Sequence, residues 1–138
     1  MAQTVKDVMT SDPIVLPPDT PVAEAAKRMR ANDVGNVLVV EGEKLRGIVT
    51  DRDIVVRVLA DQHGSAAPVR EACTLDPVVV GKGDSLEAAV RLMQENKLRR
   101  LPVVSDGRVV GVVSLGDVVQ ARDPESALGQ ISAADPTR

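Results

Sequence analysis

The sequence contains no phenylalanine, tyrosine or tryptophan, and only one cysteine and one histidine. Without aromatic rings it has none of the stacking platforms that hold single strands and exposed bases. A purine bound here would have to lie between aliphatic side chains and backbone. Positive charge is also short: 17 Lys and Arg stand against 20 Asp and Glu, a net charge of −3. No excess is available to neutralise a phosphate backbone, so nucleic acid is not an expected partner. The lone Cys73 excludes an internal disulfide, and Cys73 with His63 cannot build a closed Cys/His zinc site. Nothing in the sequence positions those two as a nucleophile and base, so Cys73 reads as a small core residue. No apolar run approaches the ~20 residues of a membrane span. The N-terminal stretch to Pro13 lacks the apolar core of a signal peptide. The expectation is a soluble cytoplasmic chain with no membrane partner, no metal and no catalytic apparatus.

What is present is a repeat. In a chain of 138 residues, 43% hydrophobic and 27% charged, a shift of 64 lays the sequence on itself without a gap from Val5 to Val55, with 14 identities in 51 pairs. Asp12-Pro13 meets Asp76-Pro77, Met29 meets Met93, Val39-Val40 meets Val103-Val104, Gly47 meets Gly111 and Asp53 meets Asp117. Two copies of one small unit are implied, each too short to bury much surface alone. The expected boundaries are residues 1–60 and 69–121 for the copies, 61–68 for a linker and 122–138 for a loosely ordered tail.

Each copy reads as a short helical turn (Val5–Met9, Val69–Cys73), a brief apolar stretch (Ile14–Leu16, Val78–Val80) and an amphipathic helix. Val22, Ala25, Ala26 and Met29 recur at helical spacing in the first copy, and Leu86, Val90 and Met93 in the second. Proline opens the first of these helices, and Asp84-Ser-Leu-Glu87 has the form of a capping box in the second. Two strands joined by a turn follow (Val37–Val40 and Leu45–Val49 in copy one), then a closing helix (Asp51–Leu59, Leu115–Gln120).

The matched segments Gly47-Ile-Val-Thr50-Asp-Arg-Asp53 and Gly111-Val-Val-Ser114-Leu-Gly-Asp117 end a strand in a hydroxyl residue, with an aspartate three residues on. That pattern suits a helix cap. It equally suits a ligand, because the turn offers amides and a hydroxyl to a phosphate, and the carboxylate can accept from vicinal ribose hydroxyls. Lys97-Leu98-Arg99-Arg100 has a similar double reading, a solvated basic helix end or a phosphate clamp. The first copy has Gly35-Asn36 at the corresponding place and no charge.

The repeat, the Asp-Val-Met-Thr start, Arg-Arg-Leu-Pro-Val-Val and Gly-Ile-Val-Thr-Asp-Arg-Asp-Ile together resemble a tandem pair of cystathionine-β-synthase (CBS) domains. The resemblance covers residues 4–120 and is nearest to the small stand-alone bacterial pairs of the hypoxic response protein type. It implies an α/β (α+β) fold, with two β-α-β-β-α repeats whose three-stranded sheets pack with pseudo-twofold symmetry as a Bateman module. It also implies adenosine-containing ligands in two clefts (AMP, ADP or ATP, with S-adenosylmethionine or NAD as further members of the class) and a homodimer formed through the helices. One cleft would use Asp117 for ribose, Ser114 with Arg99 or Arg100 for phosphate, and Asp12, Pro13, Ile14, Val34 and Gly35 for the base. The other would use Asp53 for ribose, Thr50 for phosphate, and Thr74, Pro77, Val78 and Leu98 for the base. Lacking an arginine beside Asn36, the second cleft would favour phosphate less. The functional expectation is a regulatory sensor, not an enzyme, that needs no cofactor and signals to an unidentified protein partner. The rival is a ligand-free dimerisation or interaction scaffold.

Overall fold

The computed structural model describes residues 3–122, and the tail beyond Arg122 lies outside the described residues. In chain order the elements are α1 (Val5–Val8), β1 (Thr10–Ser11), β2 (Val15–Leu16), α2 (Val22–Asn32), β3 (Asn36–Glu41), β4 (Lys44–Thr50) and α3 (Asp51–Asp53). The closing helix α3 widens at once into a π-type segment, Ile54–Leu59, where the expected regular helix would have run. A 3-10 turn (Val69–Glu71), β5 (Thr74–Leu75), β6 (Val80–Gly81), α4 (Leu86–Asn96), β7 (Arg100–Ser105), β8 (Arg108–Ser114) and α5 (Leu115–Arg122) complete the order.

The chain divides into two compact units, residues 14–77 and residues 3–13 with 78–122. Each unit holds a four-stranded sheet, in the orders β2-β3-β4-β5 and β1-β8-β7-β6. The expected sheets had three strands, and the fourth comes from an exchange. β5, which opens the second repeat, pairs antiparallel with β4 of the first, placing Thr74 opposite Ile48. β1, which opens the first repeat, pairs with β8 of the second, placing Thr10 opposite Val112. The repeats of the sequence and the compact units are therefore cut at different places.

Hydrogen bonds and close contacts explain the exchange. The amides at the start of the 3-10 turn, which have no partner inside it, are satisfied by loop carbonyls of the first repeat, Val69 N–H by Thr20 and Arg70 N–H by Pro18. In the other unit Val5 N–H donates to the Asp84 carbonyl and Lys6 N–H to that of Lys82. Helix starts carry amides with no partner inside the helix, and these loops supply one. The paired glycines permit the approach. A Cβ on Gly47 would lie 2.7 Å from the Thr74 carbonyl oxygen, and one on Gly111 2.7 Å from that of Thr10.

Each unit has its own apolar cluster. In residues 14–77 it gathers Val22, Ala25 and Met29 of α2, Val37 and Val39 of β3, and Val49, Ile54 and Val58, together with Ala67, Val69, Ala72 and Cys73 from the linker and the exchanged lead-in. The other gathers Leu86, Ala89 and Met93 of α4 with Leu101, Val103, Val113, Val118 and the exchanged Val5. Helices α2 and α4 both end on a left-handed residue, Asp33 (φ 53°) and Lys97 (φ 54°). Val34 N–H and Leu98 N–H then reach back to the Met29 and Met93 carbonyls, closing each helix and turning the chain into β3 or β7. At the start of α4 the expected Asp84–Glu87 box is not formed. Ser85 is the cap, its hydroxyl accepting from Ala88 N–H at 3.1 Å, while Asp84 accepts from Gly81 N–H at 2.9 Å. Gly81-Lys-Gly-Asp84 is a tight turn, and it claims the aspartate that the sequence pattern assigned to the helix.

Candidate functional site

The two hydroxyl–aspartate segments adopt the same geometry. Thr50 Oγ1 accepts from Asp53 N–H at 3.1 Å, and Asp53 Oδ2 accepts from Thr50 N–H at 2.9 Å. Ser114 and Asp117 repeat the pair at 3.1 Å and 2.9 Å. Both are reciprocal capping boxes. All four residues are half-buried. Each box employs one carboxylate oxygen, and no donor among the described residues is bonded to Oδ1 of either aspartate. An ionised carboxylate has lone pairs for further donors, so the cap and a ligand contact are compatible in one side chain.

In the unit of residues 3–13 and 78–122, Arg100 of β7 lies directly across from Ser114 of β8. The neighbouring Arg99 carbonyl accepts from Leu115 N–H, the first amide of α5, at 2.7 Å. The start of β7, the end of β8 and the start of α5 thus converge, bringing Arg99, Arg100, Ser114 and Asp117 to one end of one sheet. Neither arginine has a carboxylate partner among the described residues. Asp12 and Pro13 follow β1 in this unit, and Val78 and Leu98 also belong to it. Asp12 holds φ 53°, as its counterpart Asp76 holds φ 48°, a left-handed conformation in which aspartate is enriched.

The unit of residues 14–77 repeats this arrangement without the strand-end charge. Asn36 lies across from Thr50, and the Gly35 carbonyl accepts from Asp51 N–H at 3.0 Å. Thr74 and Pro77 come with the exchanged lead-in, and Ile14 lies beside β3 through a bond from Leu38 N–H to its carbonyl. A cation comes from another element of the same unit. Arg57, in the π-type segment, donates through Nη1 to the Ala72 carbonyl at 3.1 Å and to Thr74 Oγ1 at 3.3 Å. Sequence reading missed it, because only the fold brings residues 57 and 74 together. The available signal was its place four residues after Asp53.

Cys73 is buried, and its thiol donates weakly to the Arg70 carbonyl. Burial pushes the thiol up from its ordinary range, with Arg57 pulling against it and Asp53 adding to the rise. Its role as a core residue is as expected. His63 pairs instead with Glu71, its Nδ1 3.1 Å from Oε2. The lead-in Asp7 is held below the usual carboxylate range by donation from the Thr4 amide. An open groove of about 370 Å³ runs along α2 and the π-type segment, walled by Met29, Arg30, Val34, Ile54, Val55 and Leu59. No helix among the described residues is long and apolar enough to cross a membrane.

The fold and these paired turns define a tandem repeat of one small α/β unit. The chain belongs to the CBS domain family, whose model matches residues 5–60 and again 69–123. It is 39% identical over 125 residues to the CBS domain-containing protein YhcV of Bacillus subtilis, covering 90% of this chain and 89% of that protein. It is 30% identical to hypoxic response protein 1 of Mycobacterium tuberculosis over 95% of this chain and 92% of that one. Among solved structures, CBSX2 in complex with AMP matches with a TM-score of 0.75 and 32% identity, covering 88% of this chain and 96% of that one. The CBS domain pair of MJ0100, in complex with 5′-methylthioadenosine and S-adenosyl-L-methionine, matches with a TM-score of 0.81 and 25% identity, over 91% and 100% of the two chains.

Proposed function

We propose that this chain is a cytoplasmic regulatory sensor, not an enzyme, that binds an adenosine-containing nucleotide of the AMP, ADP or ATP class. S-adenosylmethionine and NAD fall within the same recognition chemistry. The observation that carries the reading is the duplicated capping box, which leaves one oxygen of Asp53 and one of Asp117 for ribose hydroxyls. The AMP and S-adenosylmethionine complexes of its structural relatives support it. In this reading Asp117 takes ribose, Ser114 with Arg99 or Arg100 takes phosphate, and Asp12, Pro13, Ile14, Val34 and Gly35 supply an aliphatic base slot. Asp53 and Thr50 do the same with Thr74, Pro77, Val78 and Leu98. Binding shifts the population of conformations that a protein partner reads.

Calorimetry tests this. Arg100→Ala should weaken AMP and ATP on the order of ten- to hundredfold, the worth of a charged hydrogen bond, and leave adenosine unchanged. Asp117→Ala should weaken all three, because all carry the ribose diol. Absence of binding by every adenosine compound would defeat the reading. It would leave the second one, a ligand-free homodimeric scaffold, which the exposure of Val55, Val56 and Leu59 (56%, 46% and 54%) favours.

A further inference from the structure

The two hydroxyl–aspartate turns are alike, but the cations near them come from different elements. Beside Ser114 and Asp117 the charge is at the start of β7, in Arg99 and Arg100, whose counterparts at the 64-residue offset are Gly35 and Asn36. Beside Thr50 and Asp53 stand Arg52, within the turn itself and facing Gly116 at the offset, and Arg57 of the closing segment, whose counterpart is Ala121. Each turn has a guanidinium where the other has a neutral residue.

Arg57 is held without being neutralised. Both acceptors of its Nη1, the Ala72 carbonyl and the Thr74 hydroxyl, are uncharged, and no carboxylate pairs with it among the described residues. A guanidinium has five N–H donors in a fixed fork and suits two-point recognition of phosphate. The side chain is exposed, so a ligand can reach it. Arg57 follows Asp53 by four residues and bonds to Thr74, so it joins a carboxylate and a hydroxyl already assigned to one ligand.

We propose that Arg57 is the anion-recognising residue of the Asp53 turn, resting on Ala72 and Thr74 and donating to a phosphate seated against Thr50. The proposal rests on the nucleotide reading above and goes beyond it in one respect. The Asp53 turn then selects for phosphate as the Asp117 turn does, against the inequality expected from Asn36 alone.

The test follows the arginine Nε–H resonances of the full chain by NMR, with Arg57→Lys identifying the Arg57 signal. AMP and inorganic pyrophosphate should each move that signal, and adenosine should not. By calorimetry Arg57→Gln should weaken AMP at one of two sites on the order of ten- to hundredfold and leave adenosine unchanged. Arg57→Lys, which keeps the charge and loses the fork, should fall between. Equal losses for AMP and adenosine would show that Arg57 only positions Thr74, and would overturn the proposal. So would an unmoved Arg57 signal while AMP shifts the Thr50 and Asp53 amides, an outcome that leaves the nucleotide reading standing. If no adenosine compound moves any of the four turn residues, the nucleotide reading falls. Pyrophosphate then decides for Arg57 alone: a shift keeps it as an anion site, and none removes it.

Discussion

Two glycines and two aspartates carry much of the design at the scale of single residues. Gly47 and Gly111 are needed because a neighbouring backbone runs across them, not because of an unusual φ. A Cβ on Gly111 would come within 2.7 Å of both Met9 Sδ and the Thr10 carbonyl oxygen. A side-chain sulfur can move aside, but a carbonyl bonded into a strand can do so only by moving β1. Gly111→Ala should therefore cost about 1–3 kcal/mol, the usual range for overpacking. Gly83→Ala is the control, since nothing lies within 4 Å of its added carbon, and a surface change of that kind stays within roughly 0.5 kcal/mol. Urea midpoints of the two variants decide the matter, and a Gly111→Ala chain as stable as the parent would show that β1 is not held where described. The aspartates illustrate the converse. Their spacing from Thr50 and Ser114 was legible as a cap or as a ligand group, and the geometry gives both uses room by binding through one oxygen only. The Arg57 contact was not legible, because it joins residues separated by |i−j| = 17 through a fold that the local pattern does not specify.

The elements show which local rules governed. Both amphipathic helices are where the apolar spacing puts them: Val22, Ala25 and Met29, and Leu86 and Met93, are buried, whereas Ala26 of the expected face is exposed and Val90 half-buried. The caps were less legible. Helix α2 starts after Pro21 with no side-chain cap, and its first amides, Val22 and Ala23, are taken by the carbonyls of Ala67 and Ser65 in the linker. Helix α4 relies on the Ser85 hydroxyl. Ser85→Ala should destabilise the chain by about 0.5–2 kcal/mol, and Ser85→Gly by only a few tenths more or less than the parent. Thermal melts of the two variants check the order, and Ser85→Ala melting with the parent would mean that the bond to Ala88 is of no consequence. The Asp84 pattern misled for a physical reason: a short carboxylate satisfies whichever amide lies nearest, and here that was Gly81 rather than the helix. The π-type stretch at Ile54–Leu59 has no local signature at all. Valine-rich segments carry no intrinsic preference for the wider turn, so the sequence offered only a helix there.

For the whole molecule, the repeat in the sequence and the unit in space are different objects, and their difference makes a prediction. A fragment cut at the repeat boundary, residues 1–62, keeps α2, β3 and β4 but loses Ala67, Val69, Ala72 and Cys73, all of them in the core cluster of that unit. It also loses β5 and the linker carbonyls that receive Val22 and Ala23 N–H. Val69 and Ala72 are both 0% exposed, and burial of a side chain such as that of Val69 contributes about 1.5–3 kcal/mol. A domain of this size commands only roughly 0.05–0.15 kcal/mol per residue in total, so the loss of four core residues and a strand exceeds what it can absorb. A fragment of nearly the same length cut at the unit boundary, residues 14–77, keeps the whole cluster and all four strands of its sheet. It gives up only α1 and β1, which belong to the other unit. Urea titration of the two fragments by circular dichroism should give a sigmoidal transition for residues 14–77 and a featureless slope for residues 1–62. The reverse order, or equal cooperativity, would mean that the lead-in segments are ornaments on self-sufficient repeats. The expected order would mean that the first repeat does not encode a foldable unit without the opening segment of the second, which gives the chain a physical reason to carry the two copies in tandem.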